Sequence, residues 1–204
     1  MTIAVGDKLP DVKLVKATEQ GPEAVQSADY FAGKRVALFS VPGAFTPTCS
    51  AKHLPGFVDK AGELKAKGID EIACTAVNDP FVMGAWGKSG GSQDVTMLAD
   101  GNGDFAEALG LTMDGSAFGL GKRGQRFAMV INDGTVEQLH VEAPGEFRVS
   151  SAEYMLDHGM LDRVIHRKAL KDELVTLVRM LTGQAPAIKG DLPAPVEPKA
   201  EAGA

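Results

Sequence analysis

A short loop that ends in a cysteine separates a continuous apolar run from a helical pattern early in the chain. The run covers residues 36–41, the loop reads PGAFTPTC over residues 42–49, and the pattern predicts a helix over residues 50–67. A strand that is buried on both faces has this kind of apolar run. Cys49 therefore lies on the first turn of the helix, where unpaired N–H groups and the helix dipole favour a thiolate. This position predicts an activated nucleophile.

Composition limits the classes of protein to which the chain can belong. Its 204 residues and 44% hydrophobic content predict one domain of ordinary size with a real core. The net charge of -6 argues against nucleic-acid binding, which usually needs a basic surface. No secretory signal or membrane-length apolar run is visible, so we expect a cytoplasmic protein without a membrane span. The two cysteines are expected to be reactive or buried thiols rather than a disulfide scaffold.

The hydrophobic pattern along the chain predicts an α/β fold with a mixed central sheet. Strands are predicted at residues 12–15, 36–41, 71–77, 95–99, 127–131 and 136–141, and helices at 50–67, from 80, at 104–109 and near 154–157. The first strand is expected at an edge of the sheet, and Asn132-Asp133-Gly134 predicts a hairpin turn. Pro55 is expected to kink the long helix one turn beyond Cys49. This order of elements predicts helices that cover the sheet.

The character of the chain changes beyond residue 160. Apolar residues recur at helical spacing over residues 161–182, where several basic residues also occur, and this predicts an appended amphipathic helix. We expect this helix to pack on the domain, on a second subunit or on another partner. Residues 183–204 are rich in Pro, Ala and Glu without periodicity, which predicts a flexible tail. The predicted organisation is thus one domain over residues 1–160, then a helix, then a tail.

The cysteine loop resembles the active-site motif of a known family. Pro42, Thr46 and Cys49 satisfy the P-x-x-x-T-x-x-C signature of peroxiredoxins. The longer run at residues 41–50 with 53–57 resembles the subfamily of the fifth peroxiredoxin, and so do residues 77–83 with Trp86 and residues 119–128. Together these blocks make the chain similar to that subfamily over about residues 3–158. The resemblance implies a thioredoxin-like fold for the domain and the reduction of hydroperoxides by a cysteine thiolate.

The resemblance also implies a role for each residue of the motif. Cys49 would attack one peroxide oxygen and become a sulfenic acid. Arg126 would hold the thiolate and stabilise the charge that spreads over the two oxygens. The Thr46 hydroxyl would donate to the thiolate or accept the peroxide proton. Pro42 would shield the sulfur from water, and neither a bound cofactor nor a metal is implied.

The way in which the oxidised cysteine returns to the thiol stays open. No cysteine follows Cys74, so the chain lacks the late resolving cysteine of some family members. This favours a one-cysteine cycle with an external thiol, glutathione with glutaredoxin first and thioredoxin second. Cys74 lies in a strand pattern typical of inert core, although a resolving role stays possible. The resemblance further implies a homodimer.

Several other features have more than one interpretation. His53 either assists the thiolate or is packed or solvated, and Arg123 is the second candidate for the catalytic arginine. Trp86 and Phe81 are interpreted as core or subunit contacts. The GxGxxG pattern at residues 119–124 leads into a strand rather than out of one, so it indicates a flexible loop rather than a dinucleotide site.

Two other functions compete with the peroxidase interpretation. A thiol-disulfide oxidoreductase is disfavoured because Ser50-Ala51-Lys52 follows Cys49 and the CxxC dithiol is missing. A redox sensor would use Cys49 to signal peroxide without turnover. The remaining histidines, His140, His158 and His166, have no spacing that indicates a zinc site.

Overall fold

The computed structural model describes residues 1–158 together with Val175 and Val178. The chain divides into two units, Met1–Asp162 and Arg163–Ala204, and the elements below belong to the first. The strands are β1 Lys13–Thr18, β2 Gly21–Gln26, β3 Arg35–Ser40, β4 Glu71–Ala76, β5 Val95–Ala99, β6 Thr112–Asp114, β7 Lys122–Gly124, β8 Phe127–Asn132 and β9 Thr135–Val141. The α-helices are α1 Ser27–Phe31, α2 Leu54–Asp59, α3 Ala61–Ala66, α4 Pro80–Ser89, α5 Asp104–Ala108 and α6 Ala152–His158. The predicted helix and tail over residues 161–204 lie outside the described residues, apart from Val175 and Val178.

A seven-stranded sheet with the order β2-β1-β5-β4-β3-β8-β9 forms the centre of the described domain. β3, β4 and β5 run parallel, whereas β1, β2, β8 and β9 pair antiparallel with their neighbours. Side chains of β3 alternate between two cores, with Phe39 on one face of the sheet and Leu38 on the other. This explains the unbroken apolar run at residues 36–41, because a strand covered on both faces has no solvent side. The predicted mixed sheet is confirmed.

The first strand does not lie at the edge of the sheet, so that prediction is wrong. β1 covers Lys13–Thr18 and lies between β2 and β5. The edge is formed by β2, whose sequence GPEAVQ is mostly exposed and contains Pro22. A proline is tolerated there because an outer strand has one side without ladder hydrogen bonds. A polar edge strand lacks the alternation from which strands are predicted, and for this reason β2 was not predicted.

The helix predicted over residues 50–67 is divided into three pieces, which corrects that prediction. Cys49–His53 form a π turn, and α2 and α3 follow it with a break at Lys60. The Leu54 N–H donates to the Cys49 carbonyl, five residues back. Pro55 has no N–H and its ring would clash with the carbonyl four residues back, so the wider turn before it relieves the clash. The effect of Pro55 therefore reaches back to the cysteine instead of starting beyond it.

The segment at residues 119–124, predicted to be a flexible loop, contains regular structure. β7 pairs antiparallel with β6 as a small second sheet, and Gly119 and Gly121 take positive φ values between them. These glycines allow the backbone to reverse within a few residues. Arg126 lies between β7 and β8, which fixes its backbone at both ends. Among the described residues, no helix has the length and apolar character that a membrane span needs.

Candidate active site

Cys49 lies at the start of a helix that follows the carboxyl end of β3. The first helical hydrogen bond runs from the Ser50 N–H to the Thr46 carbonyl at 3.0 Å, so Cys49 belongs to the first turn as predicted. Its side chain is fully buried and belongs to the same core cluster as Phe39 and Phe57. The nucleophile candidate is thus a buried thiol on the first helical turn after a central strand, and both described cysteines are free.

Arg126 reaches Cys49 through the antiparallel pairing of β8 with β3. Phe127 pairs with Ser40, so the residue before β8 lies beside the loop that follows β3. Arg126 Nη2 donates a hydrogen bond of 3.5 Å to Cys49 Sγ. The pairing register therefore brings together two predicted site residues that are 77 positions apart.

His53 binds Arg126 rather than the sulfur. Arg126 Nη1 lies 3.0 Å from His53 Nδ1, and His53 Nε2 lies 2.9 Å from the Ser150 carbonyl oxygen. A carbonyl only accepts, so Nε2 carries the proton and Nδ1 accepts from the guanidinium. Burial, and then the positive charge of Arg126, lower the pKa of His53 to about 3, although the bond to Ser150 works in the other direction. The imidazole is therefore neutral at physiological pH.

Aromatic rings surround this histidine and cover the guanidinium. The centroids of Phe39 and Phe147 both lie 4.9 Å from that of His53, and the Phe57 centroid lies 5.6 Å away. The guanidinium carbon of Arg126 lies 5.5 Å from the centroid of Phe147, which permits a cation–π interaction. His53 is fully buried among these rings, whereas Arg126 is half-buried, so the contact between them is partly shielded from solvent.

One buried carboxylate organises the loop that contributes Ser150 and Phe147. Glu142 Oε1 accepts from the N–H groups of Arg148, Val149 and Ser150 at 2.7 to 2.8 Å, and from the Ser150 hydroxyl at 2.8 Å. Glu142 is only 6% exposed. Burial works to raise the pKa of Glu142, but the hydrogen bonds from Ser150, Arg148 and Val149 outweigh it and hold the pKa below its usual range. We call residues 142–150 the Glu142 loop.

Two side chains from α4 and the segment before it brace the cysteine loop. Asn78 Oδ1 accepts from the Ala44 N–H at 2.9 Å, and Trp86 Nε1 donates to Ser50 Oγ at 3.0 Å. Between these two points Phe45 has a φ of 62°, a left-handed conformation that costs a non-glycine residue roughly 1–2 kcal/mol. The braces hold the loop in that conformation. Trp86 is 1% exposed and belongs to the core as predicted, whereas Phe81 is 72% exposed.

The other two predicted site residues lie in the loop that leads to Cys49. Thr46 Oγ1 donates to the Gly43 carbonyl at 2.9 Å, so its proton is used within the loop and its lone pairs remain to accept. Pro42 and Thr46 are both half-buried. Their proposed contacts with peroxide stay predictions.

The second arginine candidate has a different place. Arg123 donates from Nη1 to the Val77 carbonyl and from Nε to the Leu120 carbonyl, so it fastens the turn before β7 to the end of β4. Cys74 is fully buried on β4, which confirms its place in the core. Burial, and then the nearby Cys49, raise the pKa of the Cys74 thiol well above its usual range. A neutral buried thiol is a poor nucleophile.

The sequence interpretation did not assign several residues that shape the site. Asn78 occurs in one of the blocks that carry the resemblance, and Glu142 occurs in a loop without a recognised motif. A carboxylate followed at six to eight residues by three donors has no recognised periodicity, so its pattern gave no signal. The ring of Tyr154 stacks on His158 and meets His140 edge-on, and His166 lies outside the described residues. Within the described part, no cluster of three or more His, Cys, Asp or Glu side chains is arranged to hold a metal.

Comparison with known proteins places this fold and site in a family. The redoxin family model matches residues 4–156, so the chain belongs to the redoxin family. The chloroplastic Peroxiredoxin-2E-2 of Oryza sativa subsp. japonica is 54% identical over 161 residues, which cover 76% of this chain and 72% of the relative. The Hybrid peroxiredoxin hyPrx5 of Haemophilus influenzae is 40% identical over 163 residues, covering 78% and 67%.

A solved structure agrees with this assignment. Reduced Prx3 from Vibrio vulnificus, in complex with H2O2, superimposes with a TM-score of 0.74 and 51% identity, covering 76% of this chain and 98% of that one. Within the redoxin family the chain is thus a peroxiredoxin enzyme, and its fold is thioredoxin-like as predicted. Its peroxiredoxin relatives support a thiol-dependent peroxidase activity.

Proposed function

We propose that the protein reduces hydrogen peroxide and small organic hydroperoxides with Cys49 as the attacking thiolate, and that it belongs to the subfamily of the fifth peroxiredoxin. The hydrogen bond of 3.5 Å from Arg126 Nη2 to Cys49 Sγ carries this proposal. A permanent cation beside a thiol on the first turn of a helix favours the thiolate. The similarity to hyPrx5 supports the subfamily.

The chemical step is an in-line displacement at oxygen. A lone pair of the Cys49 thiolate attacks one peroxide oxygen, so an S–O bond forms while the O–O bond breaks. The second oxygen leaves as hydroxide or alkoxide and takes a proton from water. Cys49 is thereby oxidised to a sulfenic acid and the peroxide is reduced to water or an alcohol. No bound cofactor is needed in this step.

Three neighbours support the step in different ways. The guanidinium of Arg126 stabilises the negative charge as it moves from sulfur to the leaving oxygen. Thr46 accepts a hydrogen bond from the peroxide O–H through the lone pairs that its bond to Gly43 leaves free, which orients the attacked oxygen. Pro42 has no N–H, so its half-buried ring shields the sulfur without offering a competing donor.

The sulfenic acid is resolved by an external thiol. The first thiol attacks the sulfenic sulfur and releases water, and a second thiol then attacks the mixed disulfide and returns Cys49 to the thiol. The buried neutral thiol of Cys74 and the absence of any third cysteine in the sequence support this one-cysteine cycle. Glutathione with glutaredoxin is the first candidate and thioredoxin the second. Because Cys49 is fully buried, the residues that cover its sulfur must move before the thiol of either reductant can reach it.

A homodimer in the cytoplasm is the proposed state of the protein. Phe45, Phe81 and Phe118 are 56%, 72% and 81% exposed. They occur on segments joined by the bonds of Asn78 to Ala44 and of Arg123 to Val77. Large apolar side chains exposed on neighbouring segments favour a protein contact. Sedimentation of the wild-type protein and of Phe81→Asp tests this, because a monomeric wild-type protein contradicts it.

One set of assays tests the proposed function against its alternatives. Stopped-flow mixing with hydrogen peroxide measures the oxidation of Cys49, and turnover is then followed with glutathione and glutaredoxin or with thioredoxin. Fast oxidation with turnover is expected. Oxidation without turnover by any reductant would indicate a redox sensor, and reduction of insulin would indicate a thiol-disulfide oxidoreductase.

A further inference from the structure

We propose that His53 and Glu142 are positioning residues that hold the Arg126 guanidinium against the Cys49 sulfur by way of the Glu142 loop. This inference rests on the proposed function, since the rate it concerns is that of peroxide attack at Cys49. Neither side chain touches the reacting atoms in the described contacts. Each acts through the next member of a path that runs from Glu142 to Ser150, His53, Arg126 and Cys49.

In the last step of the path, the guanidinium of Arg126 donates hydrogen bonds to two acceptors. Nη1 donates to His53 Nδ1 at 3.0 Å, and Nη2 donates to Cys49 Sγ at 3.5 Å. The guanidinium is a planar fork, so fixing one terminal nitrogen also fixes the direction of the other. Phe147 lies over the same guanidinium and restricts its tilt. The bond to His53 therefore orients the donor that faces the sulfur.

The middle step of the path is the tautomer of His53, which determines the ring nitrogen that can accept from Arg126. A neutral imidazole has one donor nitrogen and one acceptor nitrogen. The Ser150 carbonyl takes the Nε2 proton at 2.9 Å, so Nδ1 is left as the acceptor for Arg126. With the other tautomer, two donors would face each other at Nδ1 and the guanidinium would turn away. Ser150 thus decides whether His53 can bind Arg126 at all.

The first step is the placement of the Ser150 carbonyl by Glu142. Four donors of the Glu142 loop converge on one carboxylate oxygen, and two of them are the N–H and hydroxyl of Ser150 itself. Hydrogen bonds to a charged acceptor are about twice as strong as neutral ones, so this carboxylate holds the backbone firmly. With its N–H fixed, Ser150 presents its carbonyl to His53, and the same loop presents Phe147 to Arg126.

Two replacements of His53 separate the acceptor from the donor of the ring. In His53→Asn the amide oxygen comes close to the place of Nδ1, so an acceptor for Arg126 is kept. In His53→Gln the amide nitrogen comes close to the place of Nε2, so the bond to Ser150 is kept and the acceptor is lost. Misplacing a reacting group by about 1 Å can cost 100-fold in rate. We expect His53→Gln to slow peroxide oxidation of Cys49 by about 10- to 100-fold, and His53→Asn to retain most of the rate.

Glu142→Gln tests the path from its other end. This variant keeps the shape of the side chain but loses its charge. We therefore expect it to slow the peroxide oxidation of Cys49, but by less than His53→Gln does. The matched control is Glu146→Gln. Glu146 lies on the same loop but is exposed, and its carboxylate makes only a long contact of 3.8 Å with Arg148 Nε. The control is expected to keep the wild-type rate. Circular dichroism and thermal unfolding identify variants that are folded.

A double-variant cycle distinguishes positioning from a general structural role. The full-length protein is compared as wild type, His53→Gln, Arg126→Ala and the two combined, with the oxidation rate and the pH profile of Cys49 alkylation as readouts. If His53 acts through Arg126, His53→Gln causes no further loss once Arg126 is alanine. In the His53→Gln single variant, the pH profile of Cys49 alkylation is also expected to move to higher pH. Loosened packing far from the sulfur would not cause this shift.

The outcomes separate this inference from the proposed function. Multiplied losses in the double variant would overturn the positioning role, and so would folded His53→Gln and Glu142→Gln proteins that react at the wild-type rate. Those results would leave the peroxidase intact. A wild-type protein that does not react with peroxide would instead overturn the proposed function itself.

Discussion

At the scale of single residues, the site depends on keeping one cation and one neutral base side by side. Arg126 is always charged, so a protonated His53 at 3.0 Å would place two cations and two opposed donors together. Burial prevents this by disfavouring the charged imidazole. At neutral pH, His53 therefore accepts a hydrogen bond at Nδ1 and is packed in the core, and its assistance to the thiolate stays a prediction.

The first prediction concerns the nucleophile. Cys49→Ser is expected to abolish peroxidase turnover, because a serine hydroxyl is not appreciably ionised at neutral pH. Cys74→Ser is expected to keep the fast oxidation step, although its buried hydroxyl lowers stability. Stopped-flow oxidation and coupled turnover assays measure both variants. Turnover retained by Cys49→Ser would contradict the mechanism.

The second prediction concerns the arginine. Arg126→Ala is expected to slow the oxidation of Cys49 by about 100- to 1,000-fold, the usual cost of removing one preorganised donor. Arg123→Ala is the comparison, because Arg123 binds only the Val77 and Leu120 carbonyls in the described contacts. Rate constants over a series of peroxide concentrations test the pair. A larger loss in Arg123→Ala would show that the catalytic arginine is assigned wrongly.

The third prediction concerns stability at acid pH. The pKa of His53 is about 3 in the folded protein, against an ordinary value of about 6.5 in the unfolded chain. Between these values the unfolded chain binds the extra proton, so the stabilisation is complete above pH 6.5 and is lost as the pH falls towards 3. The slope from this group is at most about 1.4 kcal/mol per pH unit. Urea unfolding from pH 7 to 4 should show a shallower loss in His53→Asn than in the wild type, and equal slopes would contradict the assignment.

How far the site can be predicted from sequence depends on how far apart its members are. Thr46 and Cys49 share one short motif, and the block around Arg126 is recognisable by itself. The contact between His53 and Arg126 joins positions 73 apart through the pairing of β3 with β8, and no local pattern encodes it. The Glu142 loop is hidden for a related reason, since three of its donors are backbone N–H groups that every residue except proline possesses.

At the scale of elements, the π turn at Cys49–His53 links the two ends of the site. The Cys49 carbonyl accepts a hydrogen bond from the N–H of Leu54, five positions later. One turn therefore contains both the thiol of Cys49 and the imidazole of His53, which orients Arg126. Apolar runs made β3, β4, β5 and β8 predictable, because buried strands have no polar alternation to mask them. The π turn was not predictable from periodicity, since it is a local response to Pro55.

The fourth prediction tests that origin of the turn. Pro55→Ala restores an N–H and removes the clash with the carbonyl four residues back, so a regular α-helix becomes accessible through Cys49. We expect this to shift the thiol relative to Arg126 and to lower the oxidation rate by about 10-fold or more. Stopped-flow kinetics measures the rate, and Gly62→Ala, farther along the same segment, is the control. A wild-type rate in Pro55→Ala would mean that the side-chain contacts, not the proline, maintain the turn.

At the scale of the whole molecule, every described contact of the site comes from the first unit of the chain. The strands, the braces and the Glu142 loop all lie within Met1–Asp162, and the family match ends at residue 156. The matched part of this chain covers 98% of the Vibrio vulnificus structure. A domain without the additional residues 161–204 thus corresponds to nearly the whole length of that relative.

The fifth prediction follows from this division. Deleting residues 161–204 is expected to leave the rate of peroxide oxidation at Cys49 within about two-fold of the full-length value, because the groups that set the rate are all retained. The deletion is expected to change oligomeric size or stability instead, since the amphipathic pattern at residues 161–182 predicts a helix with an apolar face to bury. Stopped-flow oxidation, sedimentation and thermal unfolding of both proteins provide the comparison. A truncated protein that folds normally but no longer reacts with peroxide would place the extension in the active site and contradict the division.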